Sequence, residues 1–156
     1  MPHPWFQHPT TSRKNGVDET VIWISILGEV YDVTEGQDHY APGKSYSGFA
    51  GRDGSVAFVT GKFTAEEAKK SADELKDSEL TGLEDWRTFY RTHAVYKFVG
   101  RLIDPRYFSE TSDPTEAMRQ LEERIKVARV EYDLKAKKRQ EEREKKRRGK
   151  KDAGRT

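Results

Sequence analysis

Cysteine is absent from the 156 residues. Its absence excludes disulfides and thiol chemistry and leaves the redox compartment open. Histidine is scarce: His3, His8, His39 and His93 are the full set. Long apolar runs are missing too. The longest, Val21 to Leu27, is broken by Ser25 and falls far short of the ~20 residues a membrane-spanning helix needs. No apolar segment follows a basic start, so no secretory signal is expected. There is no glycine-rich phosphate loop, no metal-ligand spacing and no nucleophile–base pair, so an enzyme reading has little support. Hydrophobic residues make up 33% and charged residues 36%, so a core must be confined to part of the chain.

What is present divides by charge. Lys135 to Lys151 carries eleven Lys/Arg and three Glu, net +8, whereas residues 1–134 are net −6. An acidic domain therefore bears a basic tail. Length allows one domain plus tails. Residues 1–16 hold Pro2, Pro4 and Pro9 among polar filler and read as a disordered arm, with Trp5-Phe6 either an untethered pair or a small docking anchor.

Residues 20–27 are rich in β-branched side chains and read as a buried strand. Gly28-Glu29 is expected to turn into a return strand, Val30 to Val33. Asp53 is a candidate N-cap for a helix to about Val59, stopped by Gly61. Thr64-Ala65-Glu66-Glu67 has the capping-box pattern, and the polar run from Glu66 to Asp77 reads as solvated surface. Ser78 can cap a second helix with Leu80, Leu83, Trp86, Phe89 and Tyr90 on one side. Ala94 to Leu102 reads as a strand, with Tyr96, Phe98 and Leu102 in phase. Strands, then helices, then a closing strand predict an α+β domain.

Between strand and helix lies a loop, Asp38 to Ser55, shaped by glycines and Pro42 and carrying Tyr40 and Tyr46. Tyr31-Asp32-Val33-Thr34 before it, and His39-Tyr40-x-Pro42-Gly43 and Tyr46-Ser47-x-Phe49-Ala50-Gly51-Arg52-Asp53 within it, resemble the membrane-associated progesterone receptor family, a branch of the cytochrome b5-like haem-binding fold. The likeness spans roughly Val21 to Tyr107. It implies a domain over residues 17–108 that holds one b-type haem (iron protoporphyrin IX). In that family's pattern Tyr46 is the axial ligand to iron, and Tyr40 and Tyr96 are supporting tyrosines. The lysine expected before the last tyrosine is Val95 here, and Lys97 follows it as the candidate propionate contact. A bis-histidine site is not expected, because no histidine lies between Tyr40 and Thr92. A tyrosine is an accepted axial ligand to haem, and ferric iron can hold a phenol deprotonated. His39 is expected to hydrogen-bond within the loop, and His93 to serve as a dipole partner at a helix end.

Residues 109–134 read as linker and amphipathic helix. Asp113-Pro114 is the expected helix start, and Met118, Leu121, Ile125, Ala128 and Tyr132 form a short a/d seam. Two fates are open to that seam, packing on the domain or a coiled coil. The helix is expected to reach Arg148, with residues 135–156 a basic tail. That tail is either solvated or a tether to an anionic membrane surface; nucleic acid is not favoured, for want of interleaved aromatics. The resemblance implies a non-catalytic haem-binding protein that regulates partners such as haem-thiolate monooxygenases, or sterol metabolism, in the endomembrane system or outside the cell. The alternative is a haem-free interaction adaptor using the same fold and the basic helix.

Overall fold

The structure, a computed structural model, describes residues 5–7 and 13–155. Strands β1 (Trp5–Gln7), β2 (Trp23–Ile26), β3 (Glu29–Asp32) and β4 (Lys97–Ile103) form one sheet in the order β1-β4-β3-β2. The β2–β3 hairpin turns on two residues, Leu27 and Gly28, both at positive φ (50° and 78°). That backbone matches the right-handed twist of the flanking strands. The turn therefore lies one residue earlier than expected, and Glu29 opens β3. Gly28 has a second reason to be glycine: a Cβ there would meet Tyr107 Cβ at 2.6 Å.

The β4 strand runs antiparallel to β3 with a register shift between Val30 and Tyr31, where Val30 faces Gly100 and Tyr31 faces Phe98. The extra residue changes the expected phase. Gly100 and Leu102 point inward, while Phe98 is 52% exposed. On the other edge of β4, β1 pairs in parallel. This corrects the reading of residues 1–16 as a wholly disordered arm. Three residues joined by backbone bonds leave no side-chain pattern from which to foresee the pairing. The remainder of the expected arm up to Ser12, with His3 and His8, lies outside the described residues.

The helices are α1 (Gln37–Tyr40), α2 (Ser55–Thr60), α3 (Ala65–Ala68), α4 (Asp77–Thr92) and α5 (Glu116–Ala153). Gly61 ends α2 at φ 72°, and the Thr64 hydroxyl accepts from the Glu67 N–H at 3.2 Å, both as expected. Three helix starts differ. Gly54, not Asp53, caps α2, because Asp53 is drawn inward. Lys76, not Ser78, precedes α4, and its N–H donates to Glu79 Oε1 at 2.9 Å. Thr115 caps α5, accepting from the Met118 N–H at 3.2 Å, since Pro114 is used in a bridge to Phe108. The run from Glu66 to Asp77 is not all solvated: Glu67, Ala68, Ala72 and Leu75 are buried, and Arg106 donates to the Ala68 and Lys70 carbonyls (3.4 and 3.2 Å).

The α5 seam packs on the domain. Met118, Leu121, Ile125 and Ala128 are buried with the main core, while Tyr132 is 48% exposed. Fully burying a side chain of this kind contributes roughly 1.5–3 kcal/mol for Met, Leu or Ile. Arg87 of α4 grips Glu122 of α5 through two hydrogen bonds. Arg124 and Arg129 reach back to the Leu75 and Thr81 carbonyls at 2.8 and 3.1 Å. Beyond the seam α5 continues past Arg148 to Ala153, roughly 57 Å in all at 1.5 Å per residue. Among the described residues no helix is long and apolar enough to cross a membrane.

Candidate functional site

The loop between α1 and α2 presents Tyr46, and backbone bonds hold it from both ends. The Tyr46 N–H donates to the His39 carbonyl at 2.8 Å, closing the loop on α1. A 3-10 turn, Ser47–Phe49, follows. Gly51 then donates to the Trp23 carbonyl (2.7 Å), Ser25 to the Arg52 carbonyl (3.0 Å) and Gly54 to the Ser25 carbonyl (2.8 Å). The loop is thereby stitched along the free edge of β2. Glycine at 48 permits close approach, since a Cβ there would lie 2.5 Å from the Phe63 carbonyl oxygen.

Asp53 closes the far end. It is 5% exposed, and its carboxylate accepts from Ser55 Oγ at 2.7 Å and from the Tyr107 hydroxyl. Ser55 Oγ in turn accepts from the Leu27 N–H at 2.7 Å, and Arg106 stands 3.6 Å from Asp53. Burial pushes the Asp53 carboxyl up from its ordinary range, and Arg106, Tyr107 and Ser55 pull against that shift. A buried carboxylate needs such partners. The loop motif, the hairpin turn and the segment after β4 meet in this knot.

Tyr40, Tyr46 and Tyr96 come together. The Tyr40 ring lies 5.9 Å from Tyr46 and 6.0 Å from Tyr96, centre to centre. Tyr40 is the floor, 4% exposed, and its hydroxyl shares a 2.5 Å hydrogen bond with that of Tyr90 on α4. Burial pushes the Tyr40 phenol up to about 12, and burial raises Tyr90 and Tyr96 as well. These phenols stay protonated at neutral pH. Tyr46 and Tyr96 are half-buried. The Tyr96 hydroxyl packs against Gly36, where any Cβ would overlap it. Among the described residues the Tyr46 hydroxyl makes no hydrogen bond.

Around this floor the rings close a circuit. Tyr46 stacks on Phe49 (5.8 Å), Phe49 meets Phe58 (4.4 Å), and Phe58 stacks on Trp86 (4.9 Å). Trp86 meets Phe89 (5.7 Å), Phe89 meets His93 (5.2 Å), and His93 stacks on Tyr96 (3.9 Å), which returns to Tyr40. Tyr90 contacts five of these residues from within. Phe63, edge-on to Tyr46, and Phe89 are 42% and 43% exposed. The result is an apolar, half-open aromatic surface with two phenols, Tyr46 and Tyr96, whose hydroxyls make no hydrogen bond among the described residues, suited to a flat apolar ligand. A cavity of about 280 Å³ abuts it, lined by Glu29, Tyr31, Tyr90, Arg91, Tyr96, Phe98 and Arg101. That cavity reaches Tyr90 and Tyr96 but not Tyr46.

Of the described histidines, His39 lies beside Tyr46 and His93 beside Tyr96. His39 is exposed, with its ring 6.1 Å from that of Tyr46. It bonds within the loop through its carbonyl, not its imidazole. His93 caps α4, but as an acceptor: its Nδ1 takes the Val95 and Tyr96 N–H groups, both at 3.1 Å. At the helix end it therefore acts as a clasp that positions Tyr96. Lys97 opens β4, exposed, and has no hydrogen bond to any of the three tyrosines. Sequence reasoning had Tyr90, Trp86 and Phe89 as a core face; helical spacing carried no sign that Tyr90 would bond Tyr40.

Comparison with known proteins gives the family and the fold. Residues 9–103 match the family model described as a cytochrome b5-like heme/steroid binding domain. A neuferricin homolog of Drosophila pseudoobscura pseudoobscura is 40% identical over 127 residues, which are 78% of this chain and 43% of that protein. Membrane-associated progesterone-binding protein 4 of Arabidopsis thaliana is 44% identical over 106 residues, 67% of this chain and 42% of that protein. The chain thus spans less than half the length of these curated relatives. A solved Arabidopsis thaliana structure, described as having a cytochrome b5 like fold, superposes with a TM-score of 0.56 at 36% identity. That match covers 64% of this chain and 91% of the other.

Proposed function

The chain belongs to the cytochrome b5-like heme/steroid-binding family, and we propose that it is a non-catalytic haem-binding module with Tyr46 as the axial ligand. The observation that carries this reading is the division of labour among the three phenols. The Tyr40 hydroxyl is bonded to that of Tyr90, and the Tyr96 hydroxyl, without a hydrogen bond, is packed on Gly36; Tyr46 is half-buried on a loop fixed at both ends, and its hydroxyl makes no hydrogen bond among the described residues.

The donor set fits the group. A b-type haem supplies a Lewis-acidic ferric iron that favours a hard anionic oxygen and lowers the proton affinity of a phenol bound to it. Tyr46 would offer that oxygen from a loop fixed at both ends. Tyr40 and Tyr96, kept protonated by burial, would remain neutral beside it. Phe58, Trp86 and Phe89 would supply apolar surface to the group. Lys97 is the candidate for a propionate, in place of the lysine that Val95 lacks. His39 is the competing ligand, being adjacent to Tyr46.

Absorption and electron paramagnetic resonance spectra of the protein titrated with hemin test the reading. A high-spin, tyrosinate-type ferric spectrum is expected, unchanged in His39→Ala. A low-spin bis-histidine spectrum overturns it. The regulatory role is proposed on the same basis: haem completes a surface read by partners such as haem-thiolate monooxygenases or proteins of sterol metabolism. A purified monooxygenase captured equally by wild type and folded Tyr46→Phe would favour instead the haem-free adaptor, for which the long exposed part of α5 is the supporting observation.

A further inference from the structure

The α5 helix carries a second apolar stripe on the side away from the domain. Val127, Val130 and Leu134 follow at spacings of three and four and are 58%, 59% and 56% exposed. At 100° per residue they lie roughly opposite the buried Leu121, Ile125 and Ala128. No described residue of the domain covers them. A stripe at heptad spacing on a straight, outward-facing helix is the form of surface that pairs with another helix.

The charge along α5 selects the partner and its direction. Residues 116–134 hold five acidic and four basic side chains and adjoin a domain that is net negative, whereas residues 135–151 are net +8. Glu116 and Glu123 are exposed, as are Glu131 and the basic side chains beyond Leu134. Two parallel copies would align one +8 segment with another. Two antiparallel copies, crossing at the apolar stripe, would instead lay each basic segment along the near-neutral residues 116–126 of its partner, beside the partner's net-negative domain. We propose that the chain self-associates through the Val127–Val130–Leu134 face of α5, as an antiparallel helix pair. The occupant is a second copy of this chain, because residues 1–134, net −6, carry charge complementary to the +8 segment. Only about one and a half heptads are apolar, so the pair is weak and depends on the ionic term, which salt screens to about 3 Å at 1 M. It does not depend on haem.

Sedimentation equilibrium of the full chain without added haem tests this. A concentration-dependent dimer at low salt, weakened at least ~10-fold at 1 M salt, is expected, and equally for Tyr46→Phe. The double variant Val130→Lys/Leu134→Lys should be monomeric with unchanged circular dichroism, since both sites are more than half exposed. Orientation is read by cross-linking, which the absence of native cysteine makes clean. A mixture of Glu123→Cys and Lys138→Cys proteins should form a disulfide between the two, while Lys145→Cys alone should not self-link. Monomer at every concentration overturns the proposal, as does a dimer that survives Val130→Lys/Leu134→Lys. Efficient self-linking of Lys145→Cys overturns the antiparallel arrangement. A chain that stays monomeric but sediments with phosphatidylserine vesicles shows that the basic segment serves a membrane instead, and the proposal falls.

Discussion

Around Tyr90, eight rings from separate segments meet at centre distances of 3.9–6.0 Å; along residues 135–151 of α5 no residue is buried. The first region exists only when the Tyr46 loop, α2, α4 and the start of β4 are all in place. The second needs nothing but its own backbone bonds. Helix formation without tertiary contacts is marginal and governed by local propensity. A change in one region should therefore leave the other untouched, as for distant sites with no shared partners. Substitutions that read on one region and not the other break or sharpen that contrast.

The largest effect is expected at Gly28. An alanine there takes a left-handed backbone and a Cβ 2.6 Å from Tyr107 Cβ. Backbone strain and overpacking each cost on the order of 1–3 kcal/mol. Gly28→Ala should lower unfolding stability by roughly 2–4 kcal/mol in urea, and hemin binding should weaken at denaturant levels the wild type withstands. A loss under 1 kcal/mol would mean that the turn and the segment after β4 are not packed as described.

Next comes the ligand. Tyr46→Phe should weaken hemin affinity by ~100-fold, about 2.7 kcal/mol, without loss of fold. A chain ending at Leu134 should change it by less than ~2-fold, because all three tyrosines precede the cut. Isothermal titration of both proteins separates them. Comparable losses would show that the aromatic surface and the basic segment act together.

The buried phenol pair predicts a smaller effect with a defined sign. Tyr90→Phe leaves the Tyr40 hydroxyl buried without its partner, at a cost of about 1–2 kcal/mol. Burial raises Tyr40 to about 12 in the folded protein, against an ordinary phenol near 10. The native state therefore holds its proton where the unfolded chain releases one. This contribution to stability is complete below pH ~10 and is lost as pH rises from there through about 12. Tyr40→Phe should flatten that alkaline loss in pH-dependent urea titrations. An unchanged profile would mean Tyr40 is open to water.

How much of this was legible before the structure depends on range. The stop at Gly61, the Thr64 cap and the face of α4 were readable because each is decided within a few residues. The loop motif was readable as a resemblance, and that resemblance led to Tyr40, Tyr46 and Tyr96. Asp53 was misread as a helix cap because its partners, Tyr107 and Arg106, lie more than fifty residues away. Phe98 was placed inward because a period of two does not reveal a bulge. The double acceptance at His93 and the Tyr40–Tyr90 bond depend on the meeting of α1, α4 and β4, and no spacing in the chain encodes them. The distal half of α5 was legible from composition alone, since composition is all that shapes it.

The smallest expected effect draws the contrast most finely, because it uses one substitution twice. Gly82 lies inside α4 and Gly149 inside α5, and a Cβ at either position meets nothing within 4 Å. Alanine is better than glycine in an exposed helix interior by about 0.8–1 kcal/mol. In α4 that gain belongs to the folding transition, since α4 carries the buried Leu80, Leu83 and Tyr90. Gly82→Ala should raise the urea midpoint accordingly. Gly149→Ala should increase far-ultraviolet helicity and leave the midpoint where it was, because residues 135–151 bury nothing whose unfolding it could oppose. The measurement is made at high dilution, where pairing of α5 helices is minimal. If Gly149→Ala shifts the midpoint as far as Gly82→Ala does, the distal helix is coupled to the domain within a single chain, and the two regions are not independent.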